Sequence, residues 1–244
     1  MLVHLQFSSK SLALKTDVYV IKPDYINKEK PVHILYLLHG YTGDYTDWIR
    51  YTNIEKASAG LNLFVVMPSG YNTFYVNVDG GMQVRDYLVV ELPELINETF
   101  GIKPDRDHTY IAGLSMGGYG ALKTALYYPD KYKKVASFSA PIDINRSVKA
   151  TTLTLRKKQY EMLFGDKIDV ADDPIEIVKT YKHIDQDIYI SCGSEDTLLD
   201  HNDDFHQLLM DLKIPHTYVK RPGSHTWDFW GYEIEEALKF FKLK

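Results

Sequence analysis

Five segments of the chain are apolar runs with little polar alternation. They lie at 33–38, 63–67, 108–112, 135–138 and 187–191. Strands of this kind are buried on both faces, which is typical of parallel sheets covered by helices. The N-terminal residues differ, because the strand-like segments 2–7 and 12–21 are joined by a polar turn at 8–11. This short connection predicts an antiparallel pair of strands ahead of the parallel ones.

Between the buried runs, apolar positions recur every three or four residues, which predicts helices at 83–100, 118–128, 203–212 and 230–241. Strands that alternate with helices predict an α/β fold: a mostly parallel, doubly wound sheet with right-handed crossovers and helices on both faces. We expect residues 1–244 to form one domain, because the chain has no linker, repeat or low-complexity tract. Functional loops are then expected at the carboxyl ends of the strands.

Residues 143–181 break this alternation. The segment is long, mixed in charge, and carries the apolar side chains of Tyr160, Met162, Leu163 and Phe164. It predicts either a modest cap insertion over the carboxyl edge of the sheet or a pair of helices packed on its side.

Charge and composition narrow the functional classes. The formal net charge is −5, and the one dense basic cluster, 156–158, is closely followed by acidic residues, which favours a solvated helix face. A nucleic-acid partner is therefore not expected, since such domains usually present a basic face. No run reaches the roughly 18 apolar residues of a membrane span, and 1–11 lack a signal sequence, so the sequence predicts a cytoplasmic protein without a membrane partner. The single cysteine, Cys192, excludes an intrachain disulfide and a cysteine-rich zinc site, and it is interpreted as a small buried residue.

The strongest chemical signal is Gly113-Leu114-Ser115-Met116-Gly117, which follows a predicted strand and precedes a predicted helix. This is the context of a nucleophile elbow, where small residues let neighbouring backbones approach a strained serine. The helix N-terminus also stabilises developing negative charge. We therefore predict Ser115 as a nucleophile, the alternative being a glycine-rich turn with a structural serine.

Serine needs a base to accept its proton, and nine histidines compete for this role. Elbow serines are followed along the chain by an acid and then by the histidine, which excludes the histidines before Ser115. His183 lacks an acid at a strand end, His201 and His206 are expected to be exposed on a helix, and His216 begins a strand. His225 lies in a loop after the predicted strand 217–220, where the base is required.

The acid is expected on the loop after the preceding strand. Asp196 follows the run 187–191 and is predicted to orient His225 through its ring N–H. Glu195, Asp200 and Asp203 are the alternatives, and they are more often solvated charges.

Two backbone amides are expected to stabilise the oxyanion. One is that of Met116, which follows the nucleophile, and the other is that of Tyr41 in the loop after the first buried strand. Gly40 and Gly43 are interpreted as permitting an unusual backbone turn there. His39 is expected to shape this loop. Five aromatic residues are candidates for the substrate pocket, with a core or scaffold position as the alternative for each: Trp48, Tyr71, Phe74, Tyr75 and Trp227.

Five motifs in one order carry a family resemblance across nearly the whole chain: HGYTGDYTDW (39–48), MPSGYNTFYVN (67–77), GLSMGGYGAL (113–122), CGSEDTLL (192–199) and GSHTWDFW (223–230). Together they resemble the tributyrin-esterase and esterase-D branch of the α/β-hydrolases. The resemblance implies an α/β-hydrolase fold, a triad of Ser115, Asp196 and His225, and oxyanion donors at Tyr41 and Met116. It also implies a cytosolic esterase for short acyl groups.

These observations predict a serine carboxylesterase that acts on a small-molecule ester without a metal or organic cofactor. The alternatives are a feruloyl or acetyl-xylan esterase, an S-formylglutathione hydrolase, for which the chain is short, and an inactive binding module of the same fold. Amphipathic helices are compatible with a homo-oligomer.

Overall fold

One mixed sheet organises the molecule. The structure, a computed structural model, describes residues 1–103, 105–181 and 184–243. Eight strands in this part of the chain form a sheet in the order β1-β2-β4-β3-β5-β6-β7-β8. Their bounds are β1 Leu2–Ser9, β2 Leu14–Ile21, β3 His33–Leu38, β4 Leu63–Pro68, β5 Thr109–Leu114, β6 Lys134–Phe138, β7 Asp187–Gly193 and β8 Thr217–Arg221.

The pairing of the strands follows their hydrophobic pattern. β1 and β2 form an antiparallel pair, and β2 joins β4 in antiparallel register, whereas all later neighbours are parallel. Every residue of β4, β5 and β6 is buried, as expected for strands covered on both faces. β1 instead alternates exposed and partly buried positions and lies at the edge. The predicted mostly parallel sheet with an antiparallel N-terminal pair is confirmed.

Helices cover both faces of the sheet and enclose two apolar clusters. The helices are α1 Asp47–Tyr51, α2 Ile54–Ser58, α3 Val84–Asp86, α4 Leu92–Phe100, α5 Met116–Tyr127, α6 Ile144–Ala150, α7 Thr154–Phe164, α8 Pro174–Thr180, α9 Leu199–Asp211 and α10 Trp227–Phe240. Short 3₁₀ turns occupy Arg106–His108 and Val170–Asp172. None of the described helices combines the length and apolar character that crossing a bilayer requires.

The helix predicted over 83–100 is present from 84 to 100 and contains a π-helical turn. A π-helical turn, Tyr87–Glu91, separates α3 from α4, and the amide of Leu92 donates to the carbonyl of Tyr87. Pro93 has no N–H to donate to Val89, and its ring would clash with that carbonyl in a regular helix. The wider turn avoids this conflict, as π-bulges do inside α-helices. The turn is thus a local widening inside the predicted helix and not a break in it.

Residues 143–181 form α6, α7 and α8, and their side chains reach the carboxyl edge of the sheet. Tyr160 and Phe164 of α7 pack their rings against Phe74, with centroids 5.2 and 5.9 Å apart. Phe74 also contacts Tyr119 of α5, the helix that follows Ser115. The segment thus contributes side chains to the space that the predicted nucleophile borders. His183, which the sequence excluded as a base, lies outside the described residues.

A buried ion pair holds this segment to α5. The ammonium of Lys123 lies 2.6 Å from Asp172 Oδ1 and donates to the carbonyl of Tyr75 at 2.8 Å. Arg85 contacts the other carboxylate oxygen of Asp172 at 3.2 Å, and the Tyr119 hydroxyl donates to the Asp172 carbonyl. Burial lowers the pKa of Lys123, and the neighbouring carboxylate opposes this shift. A buried charge is tolerated here because it is paired and hydrogen-bonded.

Candidate active site

Ser115 occupies a strained turn between β5 and α5. Its backbone has φ 52° and ψ −119°, a region that residues other than glycine rarely adopt. A Cβ at Gly113 would lie 2.5 Å from the Gly117 carbonyl, and one at Gly117 would lie 2.5 Å from the backbone of Leu38 and His39. The small residues predicted at these two positions are therefore required for close packing. The turn presents the Ser115 hydroxyl at the carboxyl edge of the sheet.

The structure brings together the three side chains predicted as a triad. His225 Nε2 lies 3.0 Å from Ser115 Oγ, and His225 Nδ1 lies 2.9 Å from Asp196 Oδ2. His225 is partly exposed, whereas the Asp196 carboxylate is buried. These distances permit proton transfer from the serine to the imidazole and a hydrogen bond from the imidazole to the acid.

The loops that carry His225 and Asp196 are held together by backbone contacts. The amide of Glu195 donates to the carbonyl of Gly223 at 2.9 Å, and the Glu195 carboxylate accepts from the Gly223 amide at 2.5 Å. A Cβ at Gly193 would lie 2.1 Å from the Gly223 carbonyl oxygen. Glu195, a sequence alternative for the acid, therefore joins the two loops and leaves Asp196 to contact the imidazole.

Hydrogen bonds keep Asp196 ionised in a buried position. Burial opposes ionisation, but hydrogen bonds from His225, the Leu198 amide and the Ser139 hydroxyl together lower the pKa of the carboxyl group. Ser139 also accepts a hydrogen bond from Trp230 Nε1 at 3.1 Å. The Trp230 ring meets the His225 imidazole edge-on, with centroids 4.8 Å apart. Ser139 and Trp230 thus contact the two other members of the predicted triad, Asp196 and His225.

His39 shapes the loop that follows β3. Its Nδ1 donates to the Gly40 carbonyl at 2.7 Å, and its Nε2 accepts from the Gly70 amide at 2.8 Å. These partners assign the proton of the neutral ring to Nδ1, and burial lowers the pKa of His39 to about 4. The imidazole is therefore a buried scaffold group between two loops.

The proposed role of the two glycines in this loop needs correction. The unusual backbone conformation belongs to Thr42, with φ 68°, and not to Gly40 or Gly43. Gly40 is required because a Cβ there would lie 2.6 Å from Leu114 Cδ1, and one at Gly43 would meet the Asp47 carboxylate at 2.1 Å. The two glycines are therefore needed for close packing and not, as predicted, for an unusual backbone turn.

Tyr41 and Met116 both border the space around the serine hydroxyl. Met116 is the first residue of α5, so its amide has no acceptor within the helix. In the described part of the chain, neither the Tyr41 nor the Met116 amide donates to another residue. Both amides are therefore free to contact a ligand oxygen.

Two cavities flank Ser115 and His225. One, of about 400 Å³, lies beneath residues 143–181 and is named the cap-side cavity; its lining is Tyr41, Phe74, Ser115, Met116, Pro141, Ser147, Ala150, Thr151, Arg156, Tyr160, Thr197, Leu198, His201 and His225. The other, of about 520 Å³, is named the α1-side cavity, and its lining includes Asp47, Tyr51, Trp227 and Trp230. An ester bound at Ser115 therefore has space for a group on each side.

The five aromatic candidates have different positions. Phe74 lines the cap-side cavity, and Trp227 lines the α1-side cavity. The prediction of substrate contact is corrected for the others: Trp48 is buried and donates to the Leu38 carbonyl, and Tyr75 is buried and donates to the His39 carbonyl. Tyr71, whose hydroxyl donates to Thr16, is likewise absent from the lining of both cavities. These three belong to the scaffold, the alternative that the sequence left open.

Three residues near the serine were missed or misplaced by sequence reasoning. Arg156 was assigned to a solvated helix face, but it lines the cap-side cavity and lies over the Tyr41 ring at 3.9 Å. His201 was expected to be exposed, but it is buried and lines the same cavity. Ser139 is the third. Its position directly after a buried strand, at the carboxyl edge, was a signal that could have identified it.

The site has no grouping of ligands for a metal ion. Across the described ranges, no cluster of three or more histidine, cysteine, aspartate or glutamate side chains could hold one. The chemistry that these side chains support is proton transfer from a serine hydroxyl, and two residues with unpaired amides border the same space.

Comparisons with known proteins agree with this chemistry. The family described as "Putative esterase" matches residues 9–241. The acetyl esterase of Caldicellulosiruptor saccharolyticus is 30% identical to the chain, over 98% of this chain and 97% of that protein.

Solved structures are also similar over nearly the whole chain. FphF, a fluorophosphonate-binding serine hydrolase of Staphylococcus aureus, has a TM-score of 0.88 and 28% sequence identity, covering 99% of this chain and 98% of its own. The S-formylglutathione hydrolase FrmB of the same organism has a TM-score of 0.85 and 30% identity, with coverage of 99% and 98%. The chain belongs to this esterase family, and it is a carboxylic ester hydrolase with the α/β-hydrolase fold.

Proposed function

We propose that the protein hydrolyses short-chain acyl esters through Ser115, His225 and Asp196. The single observation that carries this proposal is the continuous hydrogen-bonded chain of the three side chains, with 3.0 Å between His225 Nε2 and Ser115 Oγ and 2.9 Å between His225 Nδ1 and Asp196 Oδ2.

The reaction proceeds in two halves. His225 accepts the Ser115 proton as Oγ attacks the ester carbonyl, and it then donates this proton to the departing alcohol. Water attacks the resulting acyl-enzyme, with His225 again acting first as base and then as acid. Asp196 holds the imidazole in the required tautomer and stabilises its protonated form.

The amides of Tyr41 and Met116 stabilise the negative charge that develops on the carbonyl oxygen. Loss of one such donor typically lowers turnover about 10²–10³-fold. The positive end of α5 points at the same position and adds to this stabilisation.

The proposed preference for short acyl groups is supported by the likeness to an acetyl esterase and by the limited size of both cavities at Ser115, about 400 and 520 Å³. Thioester hydrolysis is the second candidate, and the likeness to an S-formylglutathione hydrolase at 30% identity favours it. The tributyrin-esterase branch, a single domain over 1–244 and a cytoplasmic location stay predictions from the sequence.

Substitution of the nucleophile tests the proposal. Ser115→Ala is expected to lower hydrolysis of nitrophenyl acetate and butyrate by several orders of magnitude while the folded state persists. Ser8→Ala, at an exposed serine of β1, is the matched control and is expected to retain full activity. Unchanged turnover in purified Ser115→Ala, or fluorophosphonate labelling that persists in this variant, would contradict the proposal.

A panel of graded acyl chains tests the substrate class. Rates on nitrophenyl acetate, butyrate, octanoate and laurate, on methyl ferulate and on S-formylglutathione are compared in the wild-type enzyme. We expect acetate or butyrate to give the highest kcat/KM. A higher value for laurate would contradict the short-chain assignment, and a higher value for the thioester would favour the second candidate.

A further inference from the structure

Charged groups are distributed unequally on the two sides of the nucleophile. Arg156 of α7 lines the cap-side cavity, and no aspartate or glutamate in the described part of the chain lines it. The α1-side cavity is lined by the carboxylate of Asp47 and by no lysine or arginine among the described residues. An ester bound at Ser115 therefore has a cationic environment on one side only.

The Arg156 guanidinium has no acidic partner among the described residues. Its central carbon lies 3.9 Å from the centroid of the Tyr41 ring, and its charge opposes the rise that burial causes in the pKa of Tyr160. Within the described ranges, no carboxylate lies within ion-pair distance of it. Arginine presents five N–H donors in a fork that matches a carboxylate, and the two aromatic contacts leave most of these donors free.

His201 supplies a second donor to the same cavity. The amide of Asp143 donates to His201 Nδ1 at 3.2 Å, so the neutral ring carries its proton on Nε2. Burial, together with the positive charge of Arg146, lowers the pKa of His201, which favours the neutral ring. His201 is 7% exposed and lines the cavity, and Nε2 has no acceptor among the described residues. A donor that borders a cavity and has no protein acceptor is available to a ligand or to water.

We propose that the cap-side cavity selects esters with a carboxylate at the end remote from the ester bond, and that Arg156 and His201 bind this carboxylate. This inference rests on the proposed function, because it assigns a substrate class to the same nucleophile. The carboxylate belongs either to the acyl part, as in a monoester of a dicarboxylic acid, or to the alcohol part, as in an acylated hydroxy acid. The two sources share one recognition chemistry: a charge-assisted hydrogen bond from a guanidinium.

Two pairs of esters distinguish the sources. The acyl pair is nitrophenyl glutarate, which has a free terminal carboxylate, and nitrophenyl pentanoate, which is neutral and of the same chain length. The alcohol pair is 4-acetoxybenzoate and its methyl ester. We expect the wild-type enzyme to have a higher kcat/KM for the anionic member of one pair, and that pair identifies the part of the substrate in the cavity.

Substitution of Arg156 tests whether this residue causes the preference. Arg156→Gln is expected to lower kcat/KM for the preferred anionic ester about tenfold, mainly through KM, and to change the neutral ester less than about twofold. Arg156→Lys is expected to retain part of the preference, because it keeps the charge but not the fork. The matched control, Lys157→Gln, removes an equal charge from an exposed neighbour on α7 and is expected to leave both rates unchanged.

His201→Asn and added salt give independent readouts. The His201 variant is expected to lower kcat/KM for the anionic ester more than for the neutral one. Addition of 0.5 M NaCl is expected to have the same effect, because salt screens the charges. If Arg156→Gln lowers kcat/KM equally for neutral and anionic esters, Arg156 acts by holding Tyr41 in place, and the proposal is overturned. Absence of an anionic preference in both pairs would also overturn it, while hydrolysis of the neutral esters would leave the proposed function intact.

Discussion

The hydroxyl of Tyr41 donates a hydrogen bond to the side-chain carbonyl of Gln159 on α7. Tyr41 carries one of the two proposed oxyanion amides, so this contact ties the amide to the segment 143–181. Gln159 also donates to the Asn72 carbonyl at 3.4 Å, and the Thr42 amide donates to the Asn72 side chain at 2.7 Å. The oxyanion loop is thus held from α7 and from the loop after β4.

Removal of this contact is expected to lower turnover without loss of the oxyanion amide itself. Tyr41→Phe keeps the ring beneath Arg156 and removes the hydroxyl, so the loop loses one hydrogen bond of about 0.5–1.5 kcal/mol. We expect kcat for nitrophenyl acetate to fall about three- to tenfold with little change in KM. Gln159→Leu is expected to give a similar loss, and the double variant no more than either single one. Additive losses in this double-mutant cycle would contradict the assigned contact.

Ser139 is expected to stabilise the protein most strongly when Asp196 is ionised. The folded pKa of Asp196 lies below its unfolded value, so its contribution to stability is complete above pH 4 and is lost as the pH falls through the folded pKa. Ser139→Ala removes one of the hydrogen bonds that lower this pKa, together with the acceptor of Trp230. We expect a loss of about 1–3 kcal/mol at pH 7 and a smaller loss at pH 3, measured by urea unfolding. Ser8→Ala, at an exposed serine of β1, is the control, and an equal loss for Ser139→Ala at both pH values would contradict the prediction.

Burial of neutral His39 is expected to make the free energy of unfolding depend on pH between 6.5 and 4. The folded pKa, about 4, lies below the usual value of about 6.5, so the unfolded chain binds more protons as the pH falls. Stability is therefore complete above pH 6.5 and declines by about 3 kcal/mol toward pH 4. His39→Asn is expected to flatten this slope. An NMR titration of the wild-type imidazole tests the same pKa without a substitution, and a midpoint near 6.5 would contradict it.

The buried ion pair beneath the active site is expected to contribute strongly to stability. Lys123→Met leaves Asp172 with Arg85 as its remaining cation and is expected to lower the free energy of unfolding by about 3–5 kcal/mol. Lys179→Met breaks an exposed pair with Glu176 on α8 and is the matched control, with an expected change below about 0.5 kcal/mol. Similar losses in the two variants, measured by denaturant unfolding, would contradict the distinction between buried and exposed pairs.

Buried strands were the part of the fold most directly predictable. The runs at 33–38 and 63–67 became β3 and β4 with at most one residue of difference, because continuous apolar character reports burial on both faces. The internal geometry of the helices was less predictable. The stripe over 83–100 indicated which face is buried, but the π-helical turn at Tyr87–Glu91 depends on the backbone of Pro93, which apolar periodicity does not report.

Some residues of the candidate site were likewise predictable from the sequence, and others were not. Ser115, Asp196 and His225 were predictable because each follows a strand of the sheet, and parallel strands end at one edge of the sheet. Arg156 and His201 were not, because they lie on helices whose facing side chains depend on how residues 143–181 pack. Trp48 and Phe74 illustrate the limit for aromatic residues: both are buried, but only Phe74 borders the cap-side cavity.

The α/β architecture, the strained serine turn and the chain order of the three reactive side chains follow from the amino-acid sequence, because they depend on local pattern and on small residues at fixed spacing. The buried groups near the nucleophile, the unpaired amides and the charges around the substrate space become visible only in the folded chain. These properties depend on contacts between residues far apart in the chain, such as Tyr41 with Gln159 and Lys123 with Asp172.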